Sequence, residues 1–210
     1  MSFERRTLGE FLAALASDAP TPGGGTASAA AGALGASLLS MVLALTLSKE
    51  KFATVAEELR PIAAEADRAR ARLTELMNDD AASYDAMVVA RKLPKDTDEE
   101  KAARFEAIQR TARHAAEVPM ETARCAATIL SRVPLVAEKG NPNAASDAGV
   151  AALLLAAAAE GALLNVGINL GSIQDAGFVQ GMEKETANLS GEIERVRAQV
   201  IALVRKSFSA

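Results

Sequence analysis

Four groups of residues in this chain have types and spacings that can do chemistry. The first is Pro22-Gly23-Gly24-Gly25-Thr26, which opens a run carrying no charge until Lys49. Glycines accept φ > 0 and expose backbone N–H groups, and a helix N-terminus adds partial positive charge, so this turn can hold an anion or line a ligand pocket. A tight helix-entry turn explains the same residues. No lysine follows the glycines as a Walker loop requires. The second group is Lys49, with Lys51 two residues on; either is accounted for as a solvated cap favoured by a helix dipole. Lys49 abuts the apolar run, where an amine can orient a polar reacting group. The third is Asp85 in "SYDAMVVARKLPK", a carboxylate among apolar residues that is either solvated, paired or a proton-transfer group. Its neighbour Tyr84 either stacks on a flat ligand or fills the core. The fourth is "GNPNAASD", with Asn141, Asn143, Ser146 and Asp147. These are turn and N-cap residue types, and capping uses one or two of the four. Downstream, Asn165 and Asn169 lie four apart and share a helix face. Buried amides need partners: backbone, each other across a symmetry axis, or a ligand.

The composition removes other chemistry. A single histidine, His114, cannot form paired-histidine metal ligands or a His-x-x-x-His helix face, and a lone Cys125 permits no internal disulfide or multi-cysteine zinc site. His114 reads as a surface residue among Arg110, Arg113 and Glu117, and Cys125 as a small buried hydrophobe. No metal or cofactor is expected. With 23 basic against 27 acidic residues and a formal charge of −4, there is no electrostatic footprint for nucleic acid. The single thiol, and a start without a basic segment leading into a cleavable apolar one, point to a reducing, cytoplasmic setting.

The elements that position these groups are helices. Half of the 210 residues are hydrophobic but only 3% are aromatic, so the core is built from Ala, Leu, Val and Ile, of which Ala and Leu are strong helix formers. Thr7 and Glu10 have capping-box spacing and start a short helix that turns Phe11, Leu12 and Leu15 inward. Residues 18–25 break it, and Thr26 to Leu47 is a charge-free helix. A long amphipathic helix from about Thr54 to Leu93, bent at Pro61, buries Leu59, Ile62, Ala66, Leu73, Leu76 and Met77. Thr97 and Glu100 form a second capping box for a helix to about Ala116, with a kink or restart at Pro119 and an end near Arg132. A loop around Pro134 to Asp147 leads to a second small-residue helix, and the last amphipathic helix runs from about Glu183 to Phe208. No segment alternates as a strand does. The expectation is an all-α, antiparallel helical bundle of long, partly kinked helices forming one domain over residues 1–210.

The charge-free helix is long enough for a membrane span of about 20 apolar residues. Its Ala, Gly and Ser content, the lack of flanking Trp or Tyr, and its amphipathic neighbours favour a buried core helix. So much evenly apolar surface in a small protein predicts that part of it meets a second copy, as a homodimer joined through the small-residue helices.

Taken in order, "TPGGG", the apolar helix ending "LTLSKEKF", "YDAMVVARKLPK", "GNPNAASDAGVAA" and "NVGINLGSI" resemble the cyclodeaminase/cyclohydrolase family. That family comprises the cyclodeaminase part of formiminotransferase-cyclodeaminase and stand-alone bacterial methenyltetrahydrofolate cyclohydrolases. The resemblance covers nearly the whole chain and implies an all-helical homodimer binding a tetrahydrofolate near the subunit interface. It implies hydrolysis of 5,10-methenyltetrahydrofolate to 10-formyltetrahydrofolate or, in the other branch, cyclisation of 5-formiminotetrahydrofolate with loss of ammonia; a folate-binding dimer without catalysis is the third possibility. On this footing Asp147 or Asp85 is the base or pterin anchor, and Lys49 orients water or the leaving nitrogen. Asn141, Asn143, Ser146, Asn165 and Asn169 bind the pterin or the tetrahedral oxygen, and Pro22, Gly23, Gly24 and Gly25 shape the pocket wall.

Overall fold

The computed structural model describes residues 2–208, which form seven α-helices and three short 3-10 turns, with no strand among them. The helices are α1 (Leu8–Leu15), α2 (Gly24–Leu47), α3 (Ala56–Arg91), α4 (Asp98–Leu130), α5 (Val133–Lys139), α6 (Ala145–Leu170) and α7 (Ala176–Ser207). Both capping boxes form, at Thr7 with Glu10 and at Thr97 with Glu100. In α1, Phe11 is buried against Phe3 in an edge-to-face pair, whereas Leu12 is exposed. So short a helix cannot bury every apolar position against a single neighbour.

Helices α2 and α6 run antiparallel at the centre, where small residues let the backbones close. A Cβ on Gly35 would lie 2.8 Å from Leu155 Cγ, and one on Gly161 would lie 2.6 Å from Ser28 Oγ. Helix α3 covers another side of α2, with Leu73 beside Gly32, and α4 and α7 close the bundle around Leu39, Leu43, Leu59, Met120, Leu155 and Ile193. The apolar positions assigned to α3 are all buried. By length and hydropathy α2 and α6 could each cross a membrane, yet both bury one side within the bundle. Bidentate Arg72–Glu121 and Arg124–Glu185 pairs (2.6–3.0 Å) join α3 to α4 and α4 to α7. They are partly exposed and so contribute little stability.

Three boundaries differ from expectation. Helix α5 occupies residues expected in a loop, because Pro134 sits in its first turn, where the missing N–H costs nothing. Helix α7 begins at Ala176, its N-terminus fixed by the Asp175 carboxylate accepting from the Phe178 N–H at 3.0 Å. Helix α4 neither stops near Ala116 nor restarts, and passes through Pro119 to Leu130. Proline lacks the N–H that would bond the carbonyl four residues back, here that of Ala115. The Asn169 side-chain amide of α6 donates to that carbonyl instead, at 2.6 Å.

Candidate active site

The N-terminal end of α2, the C-terminal third of α3 and the C-terminal end of α6 enclose a cavity of about 430 Å3. It is lined by Gly23, Gly24, Gly25, Asp80, Ser83, Tyr84, Met87, Arg91, Asn165 and Asn169, with Pro20, Thr21, Ala115, Ile168, Gly171 and Ser172 at its edge. A larger concavity of about 830 Å3 lies open along α4. Part of its charge is already paired, Arg113 with Asp175 at 2.9 Å and His114 near Glu117, and it lies wide open to solvent. The smaller, more enclosed cavity has converging amides, a carboxylate and an aromatic ring, the features of a ligand site.

The glycine turn works by space rather than by unusual backbone angles. No glycine among the described residues has positive φ, and Gly23 precedes α2 in extended conformation. A Cβ on Gly25 would stand 2.6 Å from Cγ of Asp80, and a Cβ on Gly24 would stand 3.3 Å from Nδ2 of Asn165. The anion that the turn accommodates is therefore the protein's own Asp80, reaching across from α3. Its Oδ2 accepts from the Thr26 hydroxyl at 2.7 Å. Burial pushes the Asp80 carboxyl above the usual carboxylate range, while bonds from the Thr26 hydroxyl and N–H pull it partly back. Gly23 has no side chain to cap α2, so Asp80 serves as the cap from another helix.

The two asparagines of α6 are held from behind. Asn165 Nδ2 donates to the Gly161 carbonyl at 2.8 Å, and Asn169 donates to the Ala115 carbonyl of α4. Each retains an amide oxygen and a second N–H for a ligand. Tyr84 is 41% exposed and forms part of the wall, where its ring can stack.

Of the residues singled out in the sequence, Gly23, Gly24, Gly25, Asn165 and Asn169 line this cavity; Pro22 is buried just behind it. Asp85 lies one position past Tyr84, exposed and outside the lining. Lys49, Asn141, Asn143, Ser146 and Asp147 gather at the opposite end of the α2–α6 pair, a helix length of roughly 35 Å away. Asn141 is a structural residue there. Its N–H donates to Thr46 Oγ1 at 2.9 Å, and its side-chain oxygen accepts from the Asn143 N–H at 3.2 Å. Lys49 and Ser146 are exposed and Asp147 is half-buried.

Neither Asp80 nor Arg91 stands out in the sequence. Asp80 follows Asp79 and Asn78 in a helix rich in charge, and only the approach of α2 buries it. The local signal for it is the lack of any capping side chain before a glycine-led helix. Cys125 is half-buried, its thiol donating weakly to the Ala69 carbonyl at 3.9 Å and pushed up to about 11 by burial, which leaves it unreactive. His114 is on the surface. Among the described residues, no three His, Cys, Asp or Glu side chains are placed to hold a metal ion.

Residues 7–188 match the family model described as formiminotransferase-cyclodeaminase. The methenyltetrahydrofolate cyclohydrolase of Methylorubrum extorquens is 41% identical over 203 residues, 97% of this chain and 98% of that protein. The formimidoyltransferase-cyclodeaminase of Sus scrofa is 34% identical over 95% of this chain, which spans 37% of that longer protein. Among solved structures, the formiminotetrahydrofolate cyclodeaminase of Thermotoga maritima superposes with a TM-score of 0.86 at 30% identity, covering 97% of this chain and 98% of that one. Sequence and architecture thus agree along almost the full length, and the chain belongs to the formiminotransferase-cyclodeaminase family.

Proposed function

We propose that this protein is a methenyltetrahydrofolate cyclohydrolase, converting 5,10-methenyltetrahydrofolate and water to 10-formyltetrahydrofolate. The observation that carries this reading is the 41% identity to a protein of that name over 98% of its length. The substrate's bridging carbon belongs to an amidinium cation and is already electrophilic. The protein has to hold a flat ring system, place a water against that carbon, and move protons from the water to N5 as the C–N5 bond opens. Tyr84 suits the ring, Asn165 and Asn169 suit its polar edges or the tetrahedral oxygen, and Arg91 at the rim suits the carboxylates of the glutamyl tail. In the test, purified protein accelerates the loss of methenyltetrahydrofolate absorbance well beyond the buffer rate and releases no ammonia from formiminotetrahydrofolate at matched concentration. The reverse preference would place it with the cyclodeaminases.

The reading includes a homodimer. The outer faces of α2 and α6 expose Leu34, Met41 and Leu45 beside Val150, Leu153, Leu164 and Ile168, the last two 77% and 79% accessible. Only Glu160 interrupts this stripe with charge. A patch of that extent is characteristic of an interface. A two-fold axis crossing the stripe at its middle sets each helix antiparallel to its own copy, which lays the Lys49–Asp147 end of one chain against the pocket of the other. Within one chain those residues are too distant to act on the same ligand. Leu164→Glu is expected to convert a dimer to monomers in sedimentation. Mixed, separately inactive Lys49→Ala and Gly25→Val chains should regain activity at about a quarter of the sites in an equimolar mixture, by random assortment of a two-fold dimer. No recovery on exchange would remove Lys49 from the site.

A further inference from the structure

We propose that Gln109 is a positioning residue of this pocket: from α4, its side-chain amide ties down the connection between α6 and α7 and so fixes the wall that faces the substrate. The inference rests on the cyclohydrolase reading above. The connection consists of residues 171–175. Gly171 and Ser172 line the active-site cavity, whereas Gln174 and Asp175 line the open concavity along α4. It is thus a thin partition between the two, and whatever holds it in place decides the shape of the inner one.

Gln109 holds the partition on both sides of Ile173. Its Nε2 donates to the Ser172 carbonyl at 3.0 Å, and its Oε1 accepts from the Gln174 N–H at 2.8 Å. One planar amide supplies both bonds because it carries a donor and an acceptor side by side. Glutamate lacks the donor, leucine lacks both, and asparagine is a methylene shorter. Ser172 also finishes α6, its N–H and hydroxyl donating to the Asn169 carbonyl at 3.3 and 3.1 Å. Asn169 in turn is moored to Ala115 of α4. Gln109 and Ala115 stand about 9 Å apart along α4. Between them they fix the last turn of α6 and the partition that continues it.

The other restraints are weaker or lie elsewhere. Ile173 is buried and keeps the connection from detaching. Arg113 reaches Asp175 at 2.9 Å, but both side chains are at least 40% exposed and the pair sits at the start of α7 rather than against the cavity. Among the described residues, no side chain other than those of Gln109 and Arg113 bonds to the connection from another helix. Losing Gln109 therefore lets Ser172 drift without unfolding the helix ends. Gly171 and Ser172 offer the substrate no ionisable group, so they act on ground state and transition state alike. A misplaced wall then shows in KM rather than in kcat.

The test uses full-length protein, methenyltetrahydrofolate kinetics well below the melting temperature, and amide hydrogen exchange at Gln174 read by NMR. Gln109→Leu removes both bonds. Its KM is expected to rise about tenfold with kcat within about twofold of the parent, and Gln174 exchange to accelerate. Gln109→Glu keeps the acceptor for the Gln174 N–H but sets a carboxylate against the Ser172 carbonyl. Its KM should rise as much while Gln174 stays protected, a split that a general loss of stability does not produce. Arg132→Met, which gives up a 2.8 Å bond to Glu65 of α3, is the control and should move neither quantity.

An unchanged KM in Gln109→Leu, a loss confined to kcat, or unaltered exchange at Gln174 in that variant overturns the proposal. So does a Gln109→Glu enzyme with the parent's KM. A wild type inactive on methenyltetrahydrofolate defeats the cyclohydrolase reading instead, and exchange at Gln174 then decides alone whether Gln109 holds the partition.

Discussion

Replacing Gly25 with alanine is expected to lower kcat/KM by on the order of 100-fold and to destabilise the protein by about 1–3 kcal/mol, the usual cost of forcing an extra methyl into a filled space. Elsewhere in a helix the same substitution stabilises, by roughly 0.5–1 kcal/mol, because alanine loses less backbone entropy. The sign reverses here because the new methyl stands 2.6 Å from the carboxyl carbon of Asp80, and that side chain is pinned to Thr26. Either α3 shifts away from α2 or the Thr26–Asp80 bond breaks; both move the carboxylate from its place in the cavity. Gly191→Ala in α7, where nothing stands within 4 Å of the added methyl, is the matched control and should be stabilising. Equilibrium denaturation with steady-state kinetics on the two variants checks this. A Gly25→Ala protein as active and stable as the control would show that the close approach of α2 to Asp80 does not matter.

Pro119→Ala should separate stability from activity in the other direction. Pro119 removes an N–H from the interior of α4, and the orphaned carbonyl of Ala115 is taken by Asn169. Proline inside a helix costs about 3 kcal/mol against alanine, so the variant should be at least as stable as the parent even though the buried ring is lost. Its new backbone N–H competes for the Ala115 carbonyl and frees Asn169 to swing. The expected result is an unchanged or higher melting temperature together with about a tenfold loss in kcat/KM, the value of one hydrogen bond to substrate. Asn169→Ala, by contrast, leaves a carbonyl unsatisfied at about 1–3 kcal/mol and should lose both stability and activity. Because both changes act through one carbonyl, Pro119→Ala with Asn169→Ala should be clearly non-additive. Additive losses would mean that Pro119 does not position Asn169.

Much of this arrangement is legible in the chain because it depends on local rules. Thr7 with Glu10 and Thr97 with Glu100 start helices through bonds spanning three residues. The apolar positions of α3 repeat at helical spacing and are all buried. The small-residue content of α2 and α6 lets two such helices approach closely, and they meet at Gly35 and Gly161, whereas Gly167 has nothing within 4 Å. Asn165 and Asn169, four apart, share a pocket wall as helix periodicity requires. What local rules could not supply was pairing across the bundle. Pro119 looks like a helix breaker until Asn169 fills the vacancy from a helix distant in sequence, and Asp80 looks like one more surface acid until α2 is laid against it.

By itself, then, the sequence determined that the chain is helical, where most helices begin, which faces they bury and which family it joins, since these follow from propensity, capping, periodicity and the order of short motifs. Only the tertiary structure decided which polar residues share a cavity. The antiparallel course of α2 and α6 carries the glycine turn to Asn165 and Asn169 and holds Lys49 with Asn141 and Asp147 a helix length away. The same packing strips water from Asp80, and burial is a property of neighbours far apart along the chain, which no spacing within a single segment encodes.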